Sequence, residues 1–389
     1  MHRSSPPRSS RGVAFAATLL ATTFPSAAYA QTVEASLSPV AWIATDSMRS
    51  VTFLGRPALW IDRGVALLRG ASLENGTLEM DLAVDDHSTF VGIAFRAVDP
   101  RFSNVIFLRP GSSGTEEAVQ YGPAMNALGV AWQVYHGAGA NAVAEVPRNR
   151  WIHVKLELDG AVARLFVDTA TAPTLVVPRV VASGGNGFGI WTGAFGRGGY
   201  VSALHFTPAP PTSMAPAPAA APAGTISHWQ LSDVVEPAAF TPAVLPDLNR
   251  LHWDPVEAEP EGWVLVNRYR DAPPSCGTPA DSNRVVLADS VMTGRFAGTR
   301  VVYARTMITA AADETRQLEY SYNNGIVIYL NGRPLVLAMN PSGLRSSLGV
   351  MAHTGDAVYL PLRKGQNDLV FAVIDCTGGW AYSARLGMN

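Results

Sequence analysis

Residues Asn75-Gly76-Thr77-Leu78-Glu79-Met80-Asp81-Leu82-Ala83-Val84 constrain this chain more than any other stretch. Asn-Gly is a turn signal, because both residues tolerate positive φ. The alternation after it sends Leu78, Met80, Leu82 and Val84 to one face. Glu79, Asp81 and Ala83 go to the other. A helix would need a period near 3.6, so this is a strand with one buried face.

Comparable segments follow at regular spacing. Phe90–Val98, Val105–Arg109, Ala118–Tyr121, Val130–Tyr135, Trp151–Leu158, Ala161–Asp168 and Gly187–Thr192 all read as extended, and Asp159-Gly160 reads as a type I′ hairpin. The run from about 39 to 206 therefore predicts a β-sandwich. Thr207–Thr225 is Pro/Ala-rich, cannot build a core, and reads as a semi-stiff spacer. A second β block spans 226–389, with turn signals at Asn324-Gly325 and Asn331-Gly332. The expected fold class is all-β, two β-sandwich domains, and 389 residues suffice for two cores.

The N-terminus reads as an address. Arg3, Arg8 and Arg11 precede an apolar run from Val13 to Phe24, then Ala28-Tyr29-Ala30. That order describes a secretory signal peptide over 1–30, cleaved after Ala30. The run is shorter than the roughly 20 residues a bilayer requires, so no membrane span is expected. The mature chain is expected in the periplasm or outside the cell. Its only cysteines, Cys276 and Cys376, are then expected to form a disulfide. Closing that loop of about 100 residues would stabilise by roughly 4–5 kcal/mol on the chain-entropy model.

A net charge of −2 leaves no basic footprint for nucleic acid. The chain lacks a G-x-S-x-G elbow, an H-E-x-x-H pair, a Walker loop and a C-x-x-C pair. With only Lys155 and Lys364, it has no S-x-x-K nucleophile either. Serine hydrolase, zinc hydrolase and NTPase chemistries find no support.

Two groups of residues could carry chemistry. Glu79 and Asp81 share a strand face, roughly 6.5–7 Å apart along the backbone. Their side chains could meet the separation of about 5–5.5 Å that retaining glycosidases use. The alternative is a solvated outer face. The second group is Arg96, Arg109, Gln120, Tyr121, Asn126, Trp132, Gln133, Tyr135 and His136. Flat aromatics stack on sugar rings, and Arg, Asn and Gln supply the paired donors and acceptors that hydroxyls need. Any one of these could instead be an ordinary core aromatic or a rim arginine.

On Asn75–Asp81, Gly92–Arg96, Phe107–Pro110, Trp132–His136, Pro147–Lys155 and Gly187–Trp191, the first block resembles the concanavalin A-like lectin/glucanase superfamily, close in pattern to laminin-G-like domains. Family 16 glycoside hydrolases share that fold and carry E-x-D-x-E or E-x-D-x-x-E on the catalytic strand. The resemblance implies Glu79 as nucleophile and Asp81 as assisting carboxylate. The acid/base position falls on Ala83 or Val84, so the catalytic carry-over fails there. Ile326–Leu335 and Leu362–Leu369 resemble galactose-binding-domain-like jelly rolls, which often accompany sugar-active enzymes. Calcium is a cofactor of many laminin-G-like domains, but no ligand set for it stands out here.

The expectation is an exported, non-catalytic carbohydrate-binding protein whose partner is a glycan or polysaccharide, held on the concave sheet of the first domain. The alternatives are a glycosidase built on Glu79 and Asp81, and an envelope adhesion module that contacts protein through its sheets.

Overall fold

The computed structural model describes residues 31–124, 134–193, 197–212, 221–236, 242–270, 300–339, 351, 355–374 and 380–387. Among these there is no α-helix, and the strands form four antiparallel sheets.

The first sandwich packs an eight-stranded sheet on a seven-stranded one. The larger sheet runs Leu175–Val177, Val162–Val167, Ile152–Asp159, Gly76–Ala83, Gly199–Pro208, Arg56–Ile61 and Met48–Phe53, with Val33–Glu34 added beside Gly199–Pro208. The smaller runs Asn141–Ala142, Val119–Gly122, Phe102–Leu108, Val91–Asp99, Gly187–Gly193, Gly64–Leu68 and Trp42–Ala44.

Gly76–Ala83 lies near the middle of the larger sheet and behaves as its alternation requires. Leu78, Met80 and Leu82 are closed into the core, while Glu79 and Asp81 face outward. Each such side chain, fully buried, contributes roughly 1.5–3 kcal/mol. The core is completed from the smaller sheet by Ile93, Phe95, Ile106, Leu108, Val119, Tyr121, Phe188 and Ile190. Gly76 itself cannot carry a side chain. A Cβ there would lie 2.1 Å from the Thr207 carbonyl oxygen, and its φ is +130°.

One turn differs from its sequence reading. Asp159 pairs with Val162, so the hairpin loop is Gly160-Ala161. Gly160 has φ +58° and Ala161 does not have positive φ, the type II′ pattern rather than I′. Asn324-Gly325 makes no hairpin. It is the corner where the chain leaves the strand Glu314–Tyr322 in one sheet for Gly325–Leu330 in another. Asn331-Gly332 does turn a hairpin, with φ of +50° and +79° and Leu330 paired to Arg333. Of the expected strand Val130–Tyr135, residues 130–133 lie outside the described residues, and Val134 and Tyr135 sit in a turn.

The second sandwich packs a six-stranded sheet on a four-stranded one. The six are Trp253–Glu257, His228–Ser232, Val301–Ala310, Gly365–Ile374, Gly325–Leu330 and Arg333–Met339. The four are Trp263–Leu265, Ala381–Leu386, Glu314–Tyr322 and Asp356–Leu362. Trp229, Phe371, Trp380 and Tyr382 anchor the core between them.

The Pro/Ala stretch is tied down at both described ends. Thr207 and Pro208 belong to the strand Gly199–Pro208, and Thr212 donates from N and Oγ1 to Asp159 at 2.7 and 2.8 Å. Thr225 bridges to Arg385, and Ile226 N donates to the Ala384 carbonyl. The two sandwiches also touch directly. Val134 is buried with Trp263, Leu265, Met351 and Ala381, and Tyr135 packs on that cluster.

Candidate functional site

The seven-stranded sheet is apolar on its outer face as well as its inner one. Val105 and Phe107 alternate with Ile106 and Leu108, so they face away from the sandwich core. There they join Val65, Leu67, Ala94 and Trp191, with Phe90 packed against them. The rings of Phe90, Phe107 and Trp191 form a triangle with centroids 5.6, 5.8 and 4.6 Å apart.

A polar network borders this triangle. Gln120 pairs with Phe107 across the strands and shares its outward face. Arg109 Nη1 donates to Glu117 Oε2 at 2.5 Å and to Gln120 Oε1 at 3.3 Å. The other oxygen of Glu117 meets His136 Nε2 at 2.5 Å. Gln120 Nε2 donates to the Tyr135 carbonyl at 3.3 Å. Both oxygens of one nearly buried carboxylate thus position two cationic or donor groups. Such charge-assisted contacts are stronger than neutral hydrogen bonds. The Arg109 guanidinium also lies 6.0 Å from the Phe90 ring centre, within cation–π range.

Beside Arg109 and Phe90 a cavity of about 340 Å³ opens, lined also by Asp86, His87, Ser88, Thr89, Gly111, Ser112 and Arg148. Its wall is the turn Asp85-Asp86-His87-Ser88. The Asp85 carboxylate accepts from His87 N, Ser88 N, Ser88 Oγ and Tyr200 OH at 2.8–3.0 Å. Burial pushes its pKa up, but these donors outweigh it and hold Asp85 below the usual carboxylate range. Tyr200 is pushed up to about 12 by burial and by the Asp85 carboxylate. Arg148 Nη1 clamps the turn from behind, donating to the Asp85 and Ser88 carbonyls at 2.6 and 2.8 Å. Asn149 Nδ2 reaches Asp86 Oδ1 at 2.9 Å.

Of the residues singled out in the sequence, the structure brings Arg109, Gln120 and His136 together. Tyr121 is one residue from Gln120 and so points the opposite way, into the core. Its hydroxyl donates to Asn104 Oδ1 at 2.8 Å and accepts from Val181 N at 3.0 Å, and burial drives its pKa far up. Arg96 lies apart, at a bulge where its own φ is +46°. It donates to the Gly160 carbonyl, and burial lowers its pKa. Asn126, Trp132, Gln133, Cys276 and Cys376 lie outside the described residues. Nothing in the sequence distinguishes Glu117, while Phe90, Trp191 and Arg148 fall in segments that speak for the fold and not for a site.

Glu79 and Asp81 stand on the far side of the sandwich, on the outer face of the eight-stranded sheet. Asp81 is paired with Arg56 Nη1 at 2.5 Å and His153 Nδ1 at 2.9 Å, and His153 Nε2 is 3.7 Å from Glu79. Ala83 and Val84, where the glucanase pattern would place the acid, are both fully buried.

Among the described residues, one group of carboxylates and histidines is close enough to share a metal ion. It is Asp233, His252 and Asp254 in the second sandwich. The Arg270 guanidinium already lies 2.8 Å from Asp254 and 4.0 Å from Asp233, so a cation occupies that charge. No helix among the described residues is long and apolar enough to cross a membrane.

No family model matches the sequence, and no curated protein matches it. Solved structures offer distant likenesses to carbohydrate-binding modules and to a lectin domain. The carbohydrate binding module CBM66 from Bacillus subtilis is 14% identical with a TM-score of 0.31, over 42% of this chain and 93% of that one. The VIP36 exoplasmic/lumenal domain, in its Ca2+/Man3GlcNAc-bound form, is 12% identical with a TM-score of 0.30, over 46% and 87%. The tandem CBM22 domains of Paenibacillus barcinonensis Xyn10C are 9% identical with a TM-score of 0.23, over 94% and 92%. At such scores these likenesses assign no family, and the functional argument rests on the chain's own residues.

Proposed function

We propose that this chain is an exported, non-catalytic glycan-binding protein, with ligand seated beside Arg109 on the outer face of the seven-stranded sheet. One observation carries the reading: a guanidinium fixed by a nearly buried carboxylate stands against an aromatic ring at the mouth of a 340 Å³ cavity. Ligand sites run from roughly 300 to 1,000 Å³, so the space suits one or two sugar rings. Arg109 donates to vicinal hydroxyls, Asp86 accepts from them, and Phe90 presents an apolar face to ring C–H groups. Because Glu117 already holds the fork, little side-chain freedom remains to be lost on binding.

The non-catalytic part of the reading is supported by the surroundings of Asp81, which Arg56 and His153 both engage, and by the buried Ala83. The test is a glycan array followed by calorimetry on the mature chain. Binding to at least one glycan is expected, weakened tenfold or more by Arg109→Ala. Silence across the array, or an Arg109→Ala variant that binds like wild type, overturns the assignment. Export is checked separately by N-terminal sequencing of the mature protein, which should begin at Gln31.

A further inference from the structure

We infer that the second sandwich carries its own binding trough for a neutral saccharide, organised by Arg305. This goes beyond the first-domain site and does not depend on it.

The outer face of the six-stranded sheet is covered over only part of its length. Val301, Tyr303, Tyr329 and Ile374 are buried there under the segment that includes Leu248, Leu251 and Trp253. Further along the same strands the face turns polar. Arg305 and Met307 continue the outward parity of Tyr303, Asp368 that of Val370, and Gln230 stands opposite Arg305. A trough of about 780 Å³ crosses this region, lined by His228, Gln230, Glu257, Arg305 and Met307 among others.

Arg305 is held as a fork. Its Nε and Nη2 donate to the two oxygens of Asp368 at 2.8 and 3.1 Å. Its Nη1 makes no hydrogen bond among the described residues, so that edge keeps donors for a ligand. Asp368 is fixed in turn by the Asn331-Gly332 turn. The Asp368 amide donates to Asn331 Oδ1 at 2.9 Å, and the Asn331 amide donates to the Asp368 carbonyl at 2.8 Å. The turn signal in the sequence therefore has a second effect: it sets the carboxylate that sets the guanidinium.

The chemistry selects the ligand class. Asp368 is paired with Arg305 and Glu257 lies 3.4 Å from His228 Nδ1, so the trough sets acceptors and donors side by side. Planar fork donors, neighbouring carboxylate acceptors and the Gln230 amide match vicinal hydroxyls, which donate and accept at once. Met307, 49% exposed, supplies a polarizable apolar floor for ring C–H groups.

The test uses the full mature chain with cellohexaose, xylohexaose, mannohexaose and maltohexaose as probes. Peroxide oxidation of Met307 is followed by peptide mass spectrometry, and affinity by calorimetry. At least one hexaose should slow Met307 oxidation several-fold, in wild type and in Arg109→Ala alike. Arg305→Lys, which keeps a charge beside Asp368 but not the fork, should weaken that binding at least tenfold. No protection by any of the four, or unchanged affinity in Arg305→Lys, overturns the inference. Saccharide binding lost in Arg109→Ala and intact in Arg305→Lys would support the first-domain site and overturn this one.

Discussion

The Tyr135 hydroxyl of the first sandwich is hydrogen-bonded to the Glu259 carboxylate of the second. Arg268 joins both, donating from Nη2 to the hydroxyl at 3.2 Å and pairing with Glu259 at 2.8 Å. Tyr135 adjoins His136, and its carbonyl receives Gln120, so the turn that completes the Arg109 network is also the turn the second sandwich grips. An acid, a base and a phenol at an apolar seam are costly unless they satisfy one another. Here the Tyr135 hydroxyl bonds to both Glu259 and Arg268, and the two charges stand 2.8 Å apart as an ion pair.

That seam gives a pH signature. Burial raises the Glu259 pKa above its ordinary 4.5, and Arg268 and the Tyr135 hydroxyl offset it only in part. Glu261 and Arg179 are the further charges facing it. A carboxyl whose folded pKa is raised contributes stability that is full below the unfolded value and lost as pH rises through the folded one. The melting temperature of wild type should therefore carry a component that falls as pH rises above about 4.5, and Glu259→Gln should lack it. Thermal scans of both proteins from acid to neutral pH measure this. Parallel curves would refute it.

Glu117→Gln removes the charge that holds both Arg109 and His136. Glycan affinity should drop by about tenfold, or roughly 1.4 kcal/mol, because the guanidinium loses its fixed orientation. The fold should change little, since the amide still fills the space. Calorimetry beside a melting curve separates the two effects. A loss of affinity matched by a collapse in stability would mean that Glu117 serves packing alone.

Parity explains what could be read in advance. Alternation is a local property, so Leu78, Met80 and Leu82 announce their strand from ten residues of sequence. The same rule separates Gln120 from Tyr121: neighbours on a strand face opposite ways, so they could not line one site. Arg96 escapes the rule because a bulge at that point breaks the alternation. Glu117 escaped because nothing local distinguishes it from Glu116. Its role comes from Arg109 and His136 arriving beside it from elsewhere in the fold. The Tyr135–Glu259 contact spans 124 positions, and no local pattern encodes it.

The hydrolytic alternative rests on Glu79 and Asp81, on the outer face of the eight-stranded sheet. Asp81 is already paired with Arg56 and bonded to His153, and no carboxyl occupies position 83 or 84. Any glycan the protein binds should survive prolonged incubation without release of reducing ends. Glu79→Gln should leave both binding and that silence unchanged. Release by wild type that vanishes in Glu79→Gln would replace the binding reading with a hydrolytic one.

Gly76→Ala tests whether the opening turn is a structural requirement. The added Cβ meets the Thr207 carbonyl oxygen at 2.1 Å and the Ala209 nitrogen at 2.9 Å, both backbone atoms that cannot swing aside. Its φ of +130° lies where side chains are strained whatever the space. Relief would require Gly76–Ala83 to separate from the end of Gly199–Pro208, and those two strands are neighbours in the sheet through paired positions such as Gly76 and Pro208. Destabilisation of about 2 kcal/mol or more is expected, against a few tenths for a surface Gly→Ala change. Denaturant titration of the protein reads it directly. A loss below about 0.5 kcal/mol would show that the strand end yields without cost, and that alternation alone, without the glycine, sets the start of this strand.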